Sequence, residues 1–315
     1  MRCLLGLCLA LAADALHPVR TPADVSEPGP AFTAERWALV DFAPVPPFLI
    51  DTHDPVTQDV YISGAAHAGV APWDPFIWDR IVALSRGVPK GSLFVDVGAN
   101  LGYFSLMAAS LGYTVASFEP MSRNARKLSR SVARNGFAGR VSLYQNAVGT
   151  GDGRLVSLRE TDALNQGNGR VTGEPVRAPS GVFGVDYVDT VSLSSVLLFA
   201  ASQSTGAHIV KVDVEGLEPD VLRGARQWIC ARSVRHVLIE FSEATRASPA
   251  SGAVDMFAFM QRAGYAVSDV SVESDAPLDY ARLVAGDFDG VPGNLLFSLR
   301  DAPLESANGA CSEPY

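Results

Sequence analysis

A glycine-rich turn preceded by a carboxylate lies between residues 93 and 109. Asp96 stands within a short apolar run that is typical of a buried parallel strand. The turn that follows carries Gly98, Asn100 and Gly102, and the apolar spacing after it becomes helical. Glycines let the backbone come close to a ligand, and α/β folds bind ligands at the carboxyl ends of parallel strands. The spacing therefore predicts a small-molecule site at this turn.

The turn departs from the Gly-x-Gly-x-x-Gly fingerprint of dinucleotide sites. Asn100 stands where the second glycine of that fingerprint belongs. A pyrophosphate would meet a side chain there, which disfavours a nucleotide-dependent oxidoreductase.

Two polar residues follow the next two predicted strands. Glu119 comes directly after strand 114–118, where a carboxylate can accept hydrogen bonds from both ribose hydroxyls of an adenosine ligand. Asn146 comes after strand 141–145, where an amide can reach the adenine edge. The alternatives are a surface glutamate and a turn-forming asparagine. We predict that both residues belong to the ligand site.

A second group of carboxylates follows the apolar run 208–214. Asp213 and Glu215 decorate its carboxyl end, and Gly216 permits the turn into a helix that begins near Pro219. A carboxylate there can act as a general base if burial raises its pKa toward the working pH. The alternative for Glu215 is a carboxylate that interacts with the dipole at the helix N-terminus. Sequence reasoning leaves both roles open.

Strands and helices alternate through the rest of the chain. This alternation predicts an α/β domain over residues 48–300, with a doubly wound, Rossmann-like, seven-stranded and mostly parallel sheet. Within it, residues 59–62 are the best candidate for an early strand. Residues 151–186 are rich in Gly, Asn and Pro, and we expect an insertion that binds or covers an acceptor.

A stripe of basic residues lies on the predicted helix 122–135. Its members recur at helical spacing, and they are Arg123, Arg126, Lys127, Arg130 and Arg134. The stripe suggests an acidic partner, but we interpret it as a solvated outer face.

Composition limits the class of protein. The chain has 315 residues, 48% of them apolar, and a net charge of −9, which gives no basis for a nucleic-acid partner. Two cysteines outside the first 15 residues are too few for a disulfide framework or a metal cluster. The five histidines are scattered without ligand spacing, so we predict no metal; they are His17, His53, His67, His208 and His236.

The ends of the chain differ from the predicted domain. Residues 1–15 resemble a signal peptide or short hydrophobic leader, too short to give a stable membrane span. Residues 16–47 form a proline-rich linker, and residues 301–315 form a C-terminal tail. A signal peptide would place the protein in the secretory pathway, in the lumen of the endoplasmic reticulum or Golgi or outside the cell. Without one, an organelle or the cytoplasm is expected.

Several stretches together resemble the FkbM family of class I S-adenosylmethionine-dependent methyltransferases. They are Asp-x-Gly-Ala-Asn-x-Gly from residue 96, Asp-Thr-Val-Ser-Leu from 189, Val-Lys-Val-Asp-Val-Glu-Gly-x-Glu from 210, Ile-Glu at 239–240 and Asn-Leu-Leu-Phe from 294. The similarity covers roughly residues 58–299, with the motifs in the expected order.

The resemblance implies the seven-stranded fold with an antiparallel last strand, and methyl transfer from S-adenosylmethionine, most often to a hydroxyl oxygen. By position, the residues of the first turn and Asp96 would hold the methionine moiety, and Glu119 the ribose. Asp213 and Glu215 would lie near the transferring methyl group. The acceptor, whether a glycan, a small metabolite or another molecule, and the oligomeric state stay open. The main alternative is a non-catalytic binding module of the same fold.

Overall fold

The computed structural model describes residues 16, 18–19, 36–56, 58–153, 155–162, 165–171, 185–200, 206–247, 250–272 and 276–301. It divides into two compact units. The N-terminal unit comprises the described residues of Asp14–Ala147 and Gly153–Thr190. The C-terminal unit comprises Val148–Asp152 and the described residues from Val191 onward. The predicted leader, most of the linker and almost all of the tail lie outside the described residues, as does much of the predicted insertion.

The N-terminal unit alternates strands and helices. In chain order its elements are β1 (Pro18–Val19), β2 (Trp37–Val40), β3 (Phe48–Asp51), α1 (Ile62–Ala68), α2 (Pro75–Leu84), β4 (Leu93–Val97), α3 (Tyr103–Leu111), β5 (Thr114–Phe118), α4 (Ser122–Arg134), β6 (Val141–Tyr144), β7 (Ala147–Val148), β8 (Leu155–Asp162), β9 (Asn165–Val171) and β10 (Val185–Val191). Strands β7 and β10 each extend one residue past the limits of the unit.

The central strands of this unit are parallel. Strand β4 pairs with β5, and β5 pairs with β6, while the short β1 runs antiparallel to β6. Every residue of β4 is buried. Strands that are apolar on both faces need helices on both sides, which is why their sequences lack polar alternation. Strands β8, β9 and β10 belong to a separate antiparallel sheet with β7, and the long predicted insertion contributes to it.

The segment before β4 corrects one prediction. Residues 59–62 are not a strand; helix α1 begins at Ile62. The Asp59 carboxylate accepts hydrogen bonds from the backbone N–H groups of Tyr61 and Ser63, at 3.1 and 2.9 Å. A carboxylate that satisfies these donors favours a helix start over a strand.

The basic stripe on α4 is also not a solvated face. Arg123 and Lys127 are only 4% and 2% exposed. Lys127 contacts the Asp51 carboxylate at 3.1 Å, and Arg130 contacts the other oxygen of the same carboxylate. Lys127 and Arg130 therefore pack against β3, while Arg134 at the end of the helix is exposed. The outer-face interpretation was wrong for most of the stripe because helical spacing shows which residues share a side, not what covers that side.

Polar side chains of α4 and of Asn135, just past its end, form a ladder along β3 and the two residues that follow it. We call Asn124, Lys127, Ser131 and Asn135 the α4 ladder. Asn135 bonds both backbone groups of Leu49, Ser131 accepts from the Asp51 N–H at 2.8 Å, and Asn124 bonds His53. Asn135 and Ser131 are four helical residues, about 6 Å, apart, and their partners Leu49 and Asp51 are two strand residues, about 6.6 Å, apart, so these two rungs stay in step.

The C-terminal unit has its own strands and helices. In chain order its elements are α5 (Leu193–Ala200), β11 (Ala207–Val212), α6 (Glu218–Gly224), α7 (Arg226–Cys230), β12 (Val234–Glu240), α8 (Glu243–Ala247), α9 (Ala250–Arg262), β13 (Tyr265–Asp269), α10 (Tyr280–Val284) and β14 (Asn294–Leu299). Strand β11 pairs with β12 in parallel, and β14 lies antiparallel between β12 and β13. The antiparallel orientation of the last strand agrees with the expectation.

An aromatic core supports these strands. Phe257 lies on α9 and contacts Phe241 edge-on, with ring centroids 5.4 Å apart. Phe297 on β14 is fully buried beside it. Burial of such rings is the main favourable term that holds helices on a sheet.

The two parallel-sheet regions contain eight strands, one more than predicted. The addition is the two-residue β1, which is too short to give a pattern in the sequence. Among the described residues, no helix is both long and apolar enough to cross a membrane. Cys230, at the end of α7, is disulfide-bonded.

Candidate active site

The glycine turn after β4 has the left-handed backbone that its sequence predicts. Gly98, Asn100 and Gly102 have φ values of 81°, 52° and 85°. The N–H groups of Gly98 and Ala99 both donate to the carbonyl of Phe118, at 3.0 Å. The turn is thereby fixed to the end of the neighbouring strand β5.

Two residues show why this turn has its composition. A Cβ at Gly102 would lie 2.1 Å from Cδ1 of Leu128, which is fully buried. Asn100 is the non-glycine residue of the turn with a left-handed φ, a conformation that asparagine tolerates better than most residues. Its side-chain Oδ1 is buried and accepts no hydrogen bond from any described residue. This acceptor is available to a ligand that carries N–H donors.

Glu119 lies at the end of β5, directly beside the turn. Its Oε2 accepts the backbone N–H of Asn100 at 2.7 Å, and its Oε1 accepts the N–H of Met121 at 2.9 Å. The Asn124 amide approaches Oε1 at 3.5 Å. The carboxylate is 4% exposed. It is therefore held in one orientation before any ligand binds.

Burial raises the pKa of Glu119 to about 7. The hydrogen bonds from Met121, Asn100 and Asn124 and the charge of Arg123 act in the opposite direction and favour the carboxylate. The group is consequently close to half ionised near neutral pH when no ligand is bound.

Asp96 and Asn146 have internal contacts. Asp96, 1% exposed, accepts a hydrogen bond from the Ser105 hydroxyl at 2.6 Å. Asn146, fully buried, donates to the carbonyl of Asp189 at 3.2 Å. The structure thus brings the turn and Glu119 together, whereas it engages these two side chains within the protein.

An acidic cluster occupies the ends of β11 and β12 in the C-terminal unit. Carboxylate oxygens of Asp213, Glu215 and Glu240 all lie within 4.8 Å of one another. Lys211, only 3% exposed, contacts Asp213 at 2.9 Å. Oxygens at this spacing can share a proton or hold a cation. The sequence analysis had assigned Asp213 and Glu215, but not Glu240, to the site.

Glu240 is the most strongly perturbed acid of this cluster. Burial raises its pKa to about 9, and the charges of Asp213, Glu215 and Glu218 add to the effect, while Lys211 opposes it. Like charges so close together cannot all ionise at neutral pH. The cluster therefore carries a proton near pH 7, and the raised pKa places that proton on Glu240.

Glu218 holds the loop that presents this cluster. Its carboxylate accepts the N–H groups of Val214 and Gly216 at 2.9 and 3.1 Å, and the Thr245 hydroxyl at 2.7 Å. These bonds fix the turn in which Glu215 has a left-handed φ of 58°. Glu218 and Glu240 were not predicted as site residues. Their position in two of the quoted motifs was the signal that could have found them.

The comparison with protein families separates the methyltransferase prediction from the oxidoreductase alternative. The model described as "Methyltransferase FkbM domain" matches residues 96–267, more than half of the chain, and this range includes the glycine turn, Glu119 and the acidic cluster. The chain belongs to the FkbM methyltransferase family. This membership and the alternation of strands and helices confirm the predicted α/β fold of class I methyltransferases. The predicted class, a methyltransferase, is confirmed, and the oxidoreductase alternative is set aside.

Solved structures similar to this FkbM family member are distant. The FkbM methyltransferase of Methylobacillus flagellatus KT is 19% identical over 50% of this chain and 36% of its own, with a TM-score of 0.32. The precorrin-6y C5,15-methyltransferase of Geobacter metallireducens GS-15 is 12% identical over 63% and 75%, with a TM-score of 0.33. A SAM-dependent methyltransferase of Agrobacterium tumefaciens is 10% identical over 66% and 53%, with a TM-score of 0.35. No curated protein matches the chain.

Proposed function

We propose that this protein transfers the methyl group of S-adenosylmethionine to a hydroxyl oxygen of a glycan or small-metabolite acceptor. One observation carries the cofactor assignment. Glu119 is buried, oriented by two backbone donors and bonded to the glycine turn itself. A fixed carboxylate beside such a turn suits the two hydroxyls of a ribose.

The residues of the N-terminal unit fit this cofactor. The left-handed turn at Gly98 leaves backbone free of a Cβ atom for close approach, while Gly102 makes room for Leu128. The unsatisfied Oδ1 of Asn100 would accept from the ammonium group of the methionine moiety. In this proposal Asp96 supports the turn from within through Ser105. Asn146 would frame the adenine end while its amide remains bonded to Asp189.

Asp213 and Glu215 are the proposed catalytic residues. When bound, the cofactor supplies a methyl group on a sulfonium, which the acceptor oxygen displaces in line. A carboxylate near that group favours the cation and accepts the acceptor's proton. Carboxylate oxygens of Glu240 lie within 4.8 Å of both, and the raised pKa of Glu240 lets it keep a proton beside them. No step is assigned to a metal.

The second candidate is a binding module that keeps the fold without catalysis. Retention of Asp96, Glu119, Asp213 and Glu215, with the turn and the acidic cluster both formed, favours the enzyme. The module predicts a folded protein that binds the cofactor weakly or not at all.

Calorimetry with the full chain separates the two candidates. We expect S-adenosylmethionine and S-adenosylhomocysteine to bind, and Glu119→Ala to weaken both by about 5- to 150-fold, the cost of unpairing buried polar groups. Asp220→Ala, which removes a half-exposed carboxylate bonded to Arg223, is the control and should bind like wild type. No binding by a folded wild-type protein would reject the enzyme.

We also propose that the reaction takes place in the secretory pathway. The apolar leader supports this location, and so does the disulfide at Cys230, because disulfides persist in oxidising compartments. Sequencing the N-terminus of the mature protein tests it. A mature chain that still starts at Met1 would contradict a cleaved signal peptide.

A further inference from the structure

The segment before the matched family domain reaches the proposed ribose-binding carboxylate. His53 follows β3 and is 1% exposed. Its Nε2 lies 2.9 Å from Oδ1 of Asn124, and Nδ2 of Asn124 lies 3.5 Å from Oε1 of Glu119. All three side chains are buried in the N-terminal unit. These contacts form a continuous hydrogen-bond chain from His53, which lies outside the residues matched by the family, to Glu119, which lies inside them.

The direction of this chain follows from its two ends. The Glu119 carboxylate is an acceptor, so the Asn124 amide must present its N–H₂ group there and its oxygen to His53. His53 must then donate from Nε2, which leaves Nδ1 as the unprotonated nitrogen. Nδ1 has no hydrogen-bond partner among the described residues. Burial lowers the pKa of His53 to about 3, and the charges of Lys127, Arg123 and Arg130 add to that effect, so the ring stays neutral.

His53 lies at the Asn124 end of the α4 ladder and bonds that one rung directly. Asn124 is the last rung, after the contacts of Ser131 and Lys127 with Asp51. From the other side, the Ser63 hydroxyl accepts the His53 N–H at 3.0 Å, and Ser63 in turn donates to Asp59 at 2.7 Å. The backbone of His53 is therefore held against helix α1, and its ring against Asn124 on α4.

We propose that His53 and Asn124 are positioning residues that orient Glu119 for the ribose of the cofactor. Without the His53 donor, the Asn124 amide could turn its oxygen toward Glu119 and repel the carboxylate. With the donor, the amide stabilises the ionised form, which accepts ribose hydroxyls. This inference rests on the proposed function. It makes the segment before residue 96, where the family match begins, part of the cofactor site.

The test measures S-adenosylhomocysteine binding against pH for four variants of the full chain. His53→Phe and Asn124→Leu should each weaken binding about tenfold and raise the pH midpoint of binding by about one unit. His53→Gln, whose amide nitrogen can replace Nε2 as donor, should stay within about twofold of wild type. Ser131→Ala removes another rung of the α4 ladder, so it should lower Tm but leave the affinity and the midpoint unchanged.

Three results would overturn the inference. They are His53→Phe with wild-type affinity and midpoint, His53→Gln as weak as His53→Phe, and Ser131→Ala with the same midpoint shift as His53→Phe. If His53→Phe does not fold, Asn124→Asp takes its place. It keeps the acceptor for His53 but sets a second carboxylate against Glu119, and it should raise the midpoint by at least one unit.

A measurement without cofactor separates this inference from the proposed function. Carbon NMR of labelled glutamate carboxyls, assigned with Glu119→Gln, gives the pKa of Glu119 directly. If wild type binds no S-adenosylhomocysteine, the proposed function fails. The positioning chain still stands if His53→Phe raises that pKa, and it fails if the pKa does not move.

Discussion

Two carboxylate sites, each at the end of a buried parallel strand, differ in what surrounds the charge. Glu119 faces donors: two backbone N–H groups and the Asn124 amide. The acidic cluster of Asp213, Glu215 and Glu240 faces itself, with Lys211 as its buried cation. Burial raises a carboxyl pKa in both places, to about 7 for Glu119 and about 9 for Glu240. The two pKa values differ because donors surround Glu119, whereas other carboxylates surround Glu240.

This difference indicates a division of labour. Donors that are fixed in advance stabilise a carboxylate, which is what a ligand with hydroxyl groups requires. Crowded carboxylates keep a proton close to neutral pH, which is what acid–base chemistry requires. The first site is suited to binding and the second to proton transfer.

The largest expected effects come from substitution of Glu215 and Glu119, which should separate turnover from cofactor binding. Glu215→Gln removes a proposed base, so kcat should fall by about 10²- to 10⁴-fold with any acceptor that wild type methylates, while S-adenosylhomocysteine affinity changes by less than about fivefold. Glu119→Gln should do the reverse and act mainly on affinity. Single-turnover kinetics with calorimetry measures both, and a Glu215→Gln variant with full kcat would contradict the assigned role.

The two glycine turns should differ in tolerance. Gly102→Ala places a Cβ 2.1 Å from a buried Leu128 atom at a φ of 85°, so the free energy of unfolding should fall by about 2–4 kcal/mol. Gly216→Ala, at a φ of 103° and 3.1 Å from Ala244, should lose about 1–2 kcal/mol.

Gly136→Ala is the control for these variants. It has a φ of 70° with no atom within 4 Å, so it should show only the backbone cost of about 1 kcal/mol. Denaturant unfolding measures all three, and equal losses at the three glycines would contradict the close packing described for Gly102.

Cofactor affinity should depend on pH through Glu119. In the proposed function the ribose requires the ionised carboxylate of Glu119, whose pKa is about 7. Affinity for S-adenosylhomocysteine should therefore be constant above that pH and fall by about tenfold per unit below it. Calorimetry from pH 5.5 to 8.5 tests this dependence. Glu119→Gln should bind weakly with no such slope, and a flat wild-type profile would assign the ribose to another group.

The smallest expected effect is on stability, through Glu240. Its pKa of about 9 lies above that of an unfolded glutamate, so the folded state binds a proton that the unfolded state has lost. The contribution of this group is present at low pH and is lost as pH rises toward 9. Glu240→Gln cannot ionise, so its Tm should match wild type near pH 4.5 and exceed it at pH 8. Calorimetric scans measure it, and a Tm advantage that is larger at pH 4.5 would contradict the sign.

Sequence patterns predicted the elements that carry local signals. The strand before Gly98, the turn and the strand before Glu119 all lie where their apolar runs and glycines placed them. The early strand at residues 59–62 was wrong because the Asp59 carboxylate accepts backbone N–H groups at the start of helix α1. A side chain that bonds its own backbone outweighs a short strand-like pattern.

Contacts between distant residues were not predictable in the same way. The basic stripe of α4 seemed solvated because its periodicity shows which residues share a side, not what covers that side. Asp51 supplies the partner for Lys127 and Arg130 from far along the chain. His53 seemed to be a scattered histidine for the same reason, and only the fold brings it to Asn124.

The sequence by itself determined the fold class, the family and the positions of the turn, Glu119, Asp213 and Glu215, because each depends on residue types close together in the chain. Only the tertiary structure decided how their charges behave. A pKa depends on burial and on groups within a few ångströms, such as Asn124 for Glu119 and Glu240 for the acidic cluster. Those groups lie on other strands and helices, so they change the pKa only when the chain has folded.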